Sequence, residues 1–336
     1  MGGADVLRIH FTGEDLGRVR LAPEPDPMWE MLLSLHRLRR RDAGVLFGPW
    51  LRESLPRVPP DIRLLTALAP PVGYAADFLT PTVDGGLDEQ LEALRATPLR
   101  QVQRDLREFV IQNAPRRLPS WSRELMAGEA AGLERLAGAA RGYVDAVLGP
   151  YWDRIRVQIC RDRNRRSRTL AEGGWDAVLS TLHPSATWDF PVLRLDFPVD
   201  QDLHLRGRGL LLQPSFFSRY NPTTLADPAL PPVLVHPIEH DVYWATPDVP
   251  QADGKALAAL IGPTRAVLLT ALADGAATTG QLARRAGTTP PNASRHLTAL
   301  RQASLIASQR HRNATLHRVT DLGKALLEGG SSQIGM

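Results

Sequence analysis

The sequence predicts an α+β, mainly helical chain: a large helical N-terminal domain with a small antiparallel sheet, then a small C-terminal domain of short helices and one hairpin. Three observations carry this. Apolar residues recur at helical spacing through most of the first 182 residues. Between Thr187 and Ile238 the pattern changes to short alternating or apolar runs punctuated by Gly and Pro. Composition then breaks at one point: all seven Trp lie at or before Trp244, and no Phe, Tyr or Trp follows it.

Charge breaks at the same place. The 336 residues carry a formal charge of +4. From Lys255 onward, 10 basic residues stand against 3 acidic ones (+7), which leaves 30 against 33 (−3) in the rest. The segment 245–254, ATPDVPQADG, reads as a linker. The expected domains are therefore 1–244, linker 245–254, domain 255–328 and a disordered tail 329–336.

In the large domain a strand is expected over 6–11. A helix over 27–41 follows, with Met28, Met31, Leu32, Leu35 and Leu38 at helical spacing. Further helices are expected over 87–95, 99–113, 120–148, 150–161 and 175–181. Strands are expected over 192–197, 202–205, 209–212 and 233–236.

In the small domain Pro263 suits the first turn of a helix over 263–273, where its missing N–H costs little. Val267, Leu268, Ala271 and Leu272 give its buried stripe, and Gly275 ends it. Thr279 starts a helix over 280–286 with Leu282, Ala283 and Ala286 inward, and Gly287 stops it. Thr289 is a good N-cap and Pro290 a good first residue for a helix to about 303. Ala293, His296 or Leu297, Leu300 and Ala303 face its core. Two helices joined by a short Gly-containing turn make a helix-turn-helix. Strands 305–309 and 316–319 form a hairpin with the basic tip Arg310, His311, Arg312, Asn313 and Ala314, and Asp321 or Thr320 caps a last helix through Leu327.

These residues resemble the winged-helix domain of ArsR-type bacterial regulators. The resemblance runs over about 260–327. It rests on Pro263-Thr264-Arg265, Gln281-Leu282-Ala283, Ser294-Arg295-His296-Leu297 with Leu300, and Arg310 before Val319-Thr320-Asp321-Leu322-Gly323. Ser304 stands where a glycine is usual, and the metal-binding Cys of the family's metal sensors is absent, so thiolate metal sensing is not implied. Phe11-Thr12-Gly13-Glu14-Asp15-Leu16, Leu182-His183-Pro184 leading to Trp188, and the run 207–215 (GRGLLLQPS) also resemble the long N-terminal region of an actinobacterial group of ArsR-like regulators.

The resemblance implies double-stranded DNA as partner. A recognition helix presents its N-terminal residues to base edges while neighbouring groups fix phosphates. Thr289, Pro291, Asn292, Ser294 and Arg295 lie at that end. Asn292 and Arg295 are the candidates for bases, since Asn pairs with adenine and Arg with guanine. Thr289 and Ser294 would donate to phosphate, and His296 is either a contact or a packing residue. Arg310 and Arg312, with Asn313 in the turn, would reach a flanking groove or backbone. One winged helix makes too few contacts for selectivity, so a homodimer on an inverted-repeat operator is expected. The expected function is a cytoplasmic transcriptional regulator, a repressor, with the N-terminal domain for dimerisation or sensing and a small-molecule effector left open. The alternative is an N-terminal enzyme or small-molecule-binding module that uses the winged helix for protein contact.

Other classes are excluded or disfavoured. The single Cys160 forbids an intramolecular disulfide or a multi-thiolate metal site. No run reaches the roughly 18–20 apolar residues of a membrane span, and Met1 to Glu14 lacks a signal-peptide core. No G-x-S-x-G, P-loop, G-x-G-x-x-G or H-E-x-x-H occurs, so no enzyme activity, cofactor or metal is expected. His236, Glu239 and His240 could ligate zinc, but Pro237 keeps them from a helical spacing. Gly207-Arg208-Gly209 reads as a hairpin bend. The arginines of 161–168 read as a solvated helix end or loop in preference to a phosphate track, and those of 37–41 as complementing a helix dipole. Only two of the 40 basic residues are lysine, a GC-rich genomic bias that weakens the meaning of any single arginine. Cys160 reads as a buried small residue. Phe216, Phe217, Tyr220, Tyr243 and the Trp residues could line a pocket or fill a core.

Overall fold

The computed structural model describes residues 5–40, 44–114, 117–240, 244, 254–273, 277–311 and 314–327. The expected linker (except Gly254), the expected tail, Gly275, Tyr243, Arg312 and Asn313 lie outside the described residues. The chain divides into two compact units, Met1–Ala245 and Thr246–Met336. It is mainly helical with small sheets.

The first unit holds two sheets where the sequence predicted one antiparallel sheet. Strands β1 (Val6–His10), β3 (Thr187–Asp189), β4 (Val192–Asp196) and β5 (Gln201–His204) form a mixed sheet in the order β3-β4-β1-β5. β1 pairs antiparallel with β4 and parallel with β5, Ile9 lying opposite Leu193 and Leu203. The cause is insertion: β4 and β5 are consecutive in sequence, but the N-terminal strand β1 lies between them. Leu7 and Ile9 are fully buried with Leu193, Leu195 and Leu203, so alternate residues, Arg8 and His10, occupy the other face.

The second sheet, β2 (Arg20–Leu21), β6 (Leu211–Ser215) and β7 (Val233–Pro237), is wholly parallel. β6 and β7 are buried along almost their whole length, as expected for parallel strands covered on both faces. Asp15 fastens the two sheets' connections. Its buried carboxylate accepts the Gly209 N–H (2.9 Å) and the Thr12 N–H and hydroxyl (2.7 Å each). Gly209 has φ +73°, and a Cβ there would meet the Arg18 carbonyl oxygen at 2.3 Å, so this position requires glycine. Arg208 donates to the carbonyls of His204, Leu205, Pro228 and Leu230. The 207–209 segment is thus a clamp between loops and not the expected hairpin bend, because the strands on either side of it, β5 and β6, belong to different sheets.

A helical layer surrounds the helix Pro27–Arg40, buried along most of its length. Glu30 is fully buried and accepts the Phe216 N–H (2.8 Å) and Phe217 N–H (3.1 Å); burial nevertheless pushes its carboxyl up to about 8. Phe216 and Phe217 pack with Phe47, Trp50 and Trp244, so these aromatics fill core, whereas Tyr220 is exposed. The helices Gly44–Ser54 and Ile62–Leu68 were not anticipated, Pro49 masking the first. The expected helix 120–148 divides at Gly128, whose left-handed backbone ends Ser122–Ala127; Ala130–Tyr143 and a π-helical turn, Val144–Leu148, follow. The two helices expected over 150–181 instead join as Trp152–Ser180, interrupted at Gly174.

The arginine run on that helix is not simply solvated. Arg166 is buried, bonds Asp162 (Nε–Oδ2 2.8 Å) and donates to the Leu182 carbonyl, while Arg165 pairs with Asp162 and Glu239. Arg37 is likewise buried, and Arg39 donates to the carbonyls of Thr66 and Ala69. Cys160 is half-buried instead of buried.

Candidate nucleic-acid interface

The second unit builds its core from Leu268, Leu269, Leu272, Leu282, Leu297, Leu300 and Ile306. Its first helix over the expected stretch, Pro263–Ala273, is shifted in phase: Leu269 is buried while Val267 is 46% exposed. A helix not anticipated, Gly254–Ile261, precedes it, starting at the last residue of the expected linker and running into the expected domain. The next helix, Thr279–Arg285, starts one residue earlier than expected. Thr278 and Gln281 form a reciprocal capping box, with the Thr278 hydroxyl accepting the Gln281 N–H and the Gln281 carboxamide oxygen accepting the Thr278 N–H (2.8 Å). Gly287 turns the chain at φ +58°.

The helix Pro290–Gln302 then begins with Thr289 as N-cap, extended as a following proline demands. Two prolines at its start remove two of the N–H groups that a helix N-terminus offers to anions. Phosphate contact there falls to side chains. Thr289 makes no capping bond and is exposed.

Ala293, Leu297 and Leu300 are buried, so the residues opposite them point outward. Pro291, Ser294, Arg295 and Thr298, spaced i, i+3, i+4 and i+7, are all exposed on one face. His296 is half-buried beside it, Leu297 being the core residue, and Ala303 is exposed, not inward. Asn292 is half-buried. Its amide donates to the Thr288 hydroxyl (2.8 Å) and accepts from Arg295 Nη2 (3.0 Å). The two base-contact candidates are therefore joined, and Asn292 holds the guanidinium on the outer face. Thr298, and Arg284 of the preceding helix, are also exposed and do not figure among the sequence candidates. The i+7 spacing from Pro291 was the available signal for Thr298.

The wing is the hairpin β9 (Ile306–His311) and β10 (Ala314–Val319), with Arg310 opposite Thr315 and exposed. A short strand, β8 (Ala277–Thr278), pairs with β10. His317, 6% exposed, ties the parts together: its Nε2 lies 3.0 Å from the Thr279 hydroxyl and its Nδ1 2.8 Å from that of Ser308. Burial, then the nearby Arg301 charge, holds its pKa below the ordinary value. Thr320 caps the last helix, Asp321–Leu327, by accepting the Gly323 N–H (3.1 Å). Ser304 adopts φ +59°, so the turn where the family resemblance expects glycine is left-handed here too.

Electrostatics favour a polyanion. Between Gly275 and Thr320 there are seven arginines (284, 285, 295, 301, 310, 312, 318) and no Asp or Glu. In the first unit, His236, Glu239 and His240 do not converge. His236 is buried beside Arg166, Glu239 pairs with Arg165, and His240 bonds the Phe216 carbonyl. A cleft of about 320 Å³ in that unit is lined by Tyr74, Asp77, Arg104, Asp105, Glu108 and Asp227. Asp77 is pushed up to about 7 and Asp105 to about 6 by burial. Both serve as loop anchors, accepting backbone N–H groups of Ala226, Asp227 and Phe78. Among the described residues no helix is long and apolar enough to cross a membrane.

Residues 260–309 match the family described as helix-turn-helix domain, over the helices and strand that carry this surface. No curated protein and no solved structure matches the chain. The small C-terminal unit thus carries a helix-turn-helix domain, followed by a wing.

Proposed function

We propose that the chain is a sequence-specific DNA-binding transcriptional regulator, a repressor that binds an inverted-repeat operator as a homodimer. The observation that carries this reading is the exposed face Pro291, Ser294, Arg295 and Thr298 on the second helix of the helix-turn-helix, in an arginine-rich stretch without acidic residues. Arg295 reads a guanine edge, and Asn292 either keeps it aimed or turns to an adenine. Thr289, Ser294 and Arg284 fix phosphates, and Arg310 with Arg312 and Asn313 reaches the flanking groove or backbone.

Dimerisation is supported by apolar side chains left exposed in the same unit, Leu260 (72%) and Val267 (46%). In this reading the N-terminal unit senses and shares the dimer contact with these C-terminal side chains, and an effector acts by favouring one spacing of the two recognition helices over another. The protein acts in the cytoplasm, where its DNA partner is.

The test is selection of genomic fragments by the purified chain, then gel-shift titration of an enriched fragment. Wild type binds it selectively, and Arg295→Ala weakens binding and relaxes selectivity at one position per half-site. Unchanged affinity and selectivity in Arg295→Ala would show that this helix does not read bases.

A further inference from the structure

We propose that His10, Asp202 and His204 form a binding site for a divalent transition-metal ion of the zinc type on the outer face of the N-terminal unit's mixed sheet. The site arises from register. β1 and β5 run parallel with Arg8 opposite Asp202 and His10 opposite His204. Leu7, Ile9 and Leu203 point into the core, so Arg8, His10, Asp202 and His204 share the opposite face. One donor atom from each of His10, Asp202 and His204 lies within 4.8 Å of the other two.

The donors are close to, but not in, a coordination geometry. Zinc bonds of roughly 2.0–2.2 Å in a tetrahedron set neighbouring donors about 3.3 Å apart. His10 Nε2 is 2.6 Å from Asp202 Oδ1, and the two imidazoles stack with centroids 4.2 Å apart and planes at 17°. With the three donor atoms already within 4.8 Å of one another, side-chain rotation is the adjustment that binding an ion would require. The backbone beneath them is fixed. The His10 carbonyl accepts the Leu205 N–H (3.0 Å), and the His204 carbonyl accepts Arg208 Nη2 (2.9 Å).

Charge permits a cation despite the neighbouring Arg8. Its guanidinium binds Asp200 (3.2 Å) and stands 4.0 Å from Asp202 Oδ2, leaving Oδ1 on the histidine side. Arg8, Asp200 and Asp202 together sum to one negative charge. Asp200 and Arg8 would then act as the outer shell that orients the ligating carboxylate.

Donor chemistry selects the ion. Two imidazoles and one carboxylate suit zinc and its first-row neighbours, while calcium and magnesium prefer oxygen alone and Cu(I) prefers sulfur. Two of the three ligands, Asp202 and His204, sit on the edge strand β5 and His10 on its inner neighbour β1; with the Asp202 side chain 50% exposed, coordination positions are left to solvent. The site is therefore exchangeable, not a closed structural centre. In the 236–240 segment, by contrast, His240 and Glu239 are occupied by other partners.

The experiment uses the untagged, metal-free full chain. Zinc is titrated in competition with a chromophoric chelator, and Co²⁺ binding is followed by visible absorption. One equivalent of zinc is expected, with a four-coordinate cobalt spectrum. His10→Ala, His204→Ala and the isosteric Asp202→Asn should each weaken binding by more than about 100-fold, while His183→Asn leaves it unchanged. Circular dichroism confirms that these exposed-face variants fold. Failure of the wild-type chain to take up one equivalent, or affinities of His10→Ala and His204→Ala within threefold of wild type, would overturn the proposal.

Discussion

Ser304 is the residue to replace first. It joins the helix Pro290–Gln302 to the wing with φ +59°, a conformation that costs an L side chain about 1–2 kcal/mol. Its local bonds run through the backbone: its N–H donates to the Arg301 carbonyl (2.9 Å) and its carbonyl accepts the Thr320 hydroxyl (2.6 Å). Both survive Ser304→Gly. Relief of the left-handed strain is partly offset by glycine's greater freedom in the unfolded chain, roughly 0.4–1 kcal/mol. The net gain is about 0.5–1 kcal/mol. For a unit of this size that raises the midpoint of the C-terminal transition by about 2–8 °C. The assay is differential scanning calorimetry of the full chain, with Ser304→Ala as the control that keeps the Cβ and should gain nothing. An unchanged or lowered midpoint in Ser304→Gly, or an equal gain in Ser304→Ala, would refute the reasoning.

Three further outcomes follow from the same geometry. Gly323→Ala places a Cβ 2.1 Å from the Leu305 carbonyl oxygen and 2.7 Å from Val319 Cγ2, so it should cost the C-terminal unit about 1–3 kcal/mol or more in urea denaturation. His317 has its folded pKa below the unfolded value, so its contribution is complete above the ordinary histidine pKa of about 6.5 and is lost as pH falls below it. The thermal midpoint of the C-terminal unit should therefore drop between pH 7.5 and 5.5, and drop less in His317→Gln. Asp162→Asn leaves the buried Arg166 guanidinium without its carboxylate, and chemical denaturation should show the N-terminal unit destabilised by about 3–5 kcal/mol.

The winged helix was legible because its signals are local. Pro263, the Thr289-Pro290 pair and the hairpin residues each act within a few positions, and the observed helices Pro263–Ala273 and Pro290–Gln302 start where they indicate. Errors there were small and have local causes. The buried stripe slipped from Val267 to Leu269, and the Thr278–Gln281 box moved one helix start. The N-terminal sheets were not legible because their order depends on contacts across the chain. Nothing near Val6 announces that it pairs with Asp196, nor near Leu7 that it pairs with Gln201. The all-parallel pairing of Leu211–Ser215 with Val233–Pro237 has the same character.

The candidate sites divide along the same line. Ser294 and Arg295 sit on the exposed face because helical spacing puts them there once Ala293 and Leu297 are inside. The coupling of Asn292 to Arg295 needed side-chain geometry. The 161–168 run looks solvated from composition alone, which does not reveal that Asp162, one turn before Arg166, is buried with it. His10, Asp202 and His204 are brought together only by strand register.

The central claim is tested most directly by the affinity of the full chain for an enriched genomic fragment, measured for wild type and Arg295→Ala across a series of salt concentrations. With two to three arginines per protomer on phosphate in a dimer, log affinity should fall against log salt with a slope of about −4 to −5. Loss of a bidentate base contact in Arg295→Ala should cost about 1–3 kcal/mol per contact and reduce preference for the selected fragment. No enriched fragment, a slope near zero, or equal affinity and selectivity in Arg295→Ala would contradict the account.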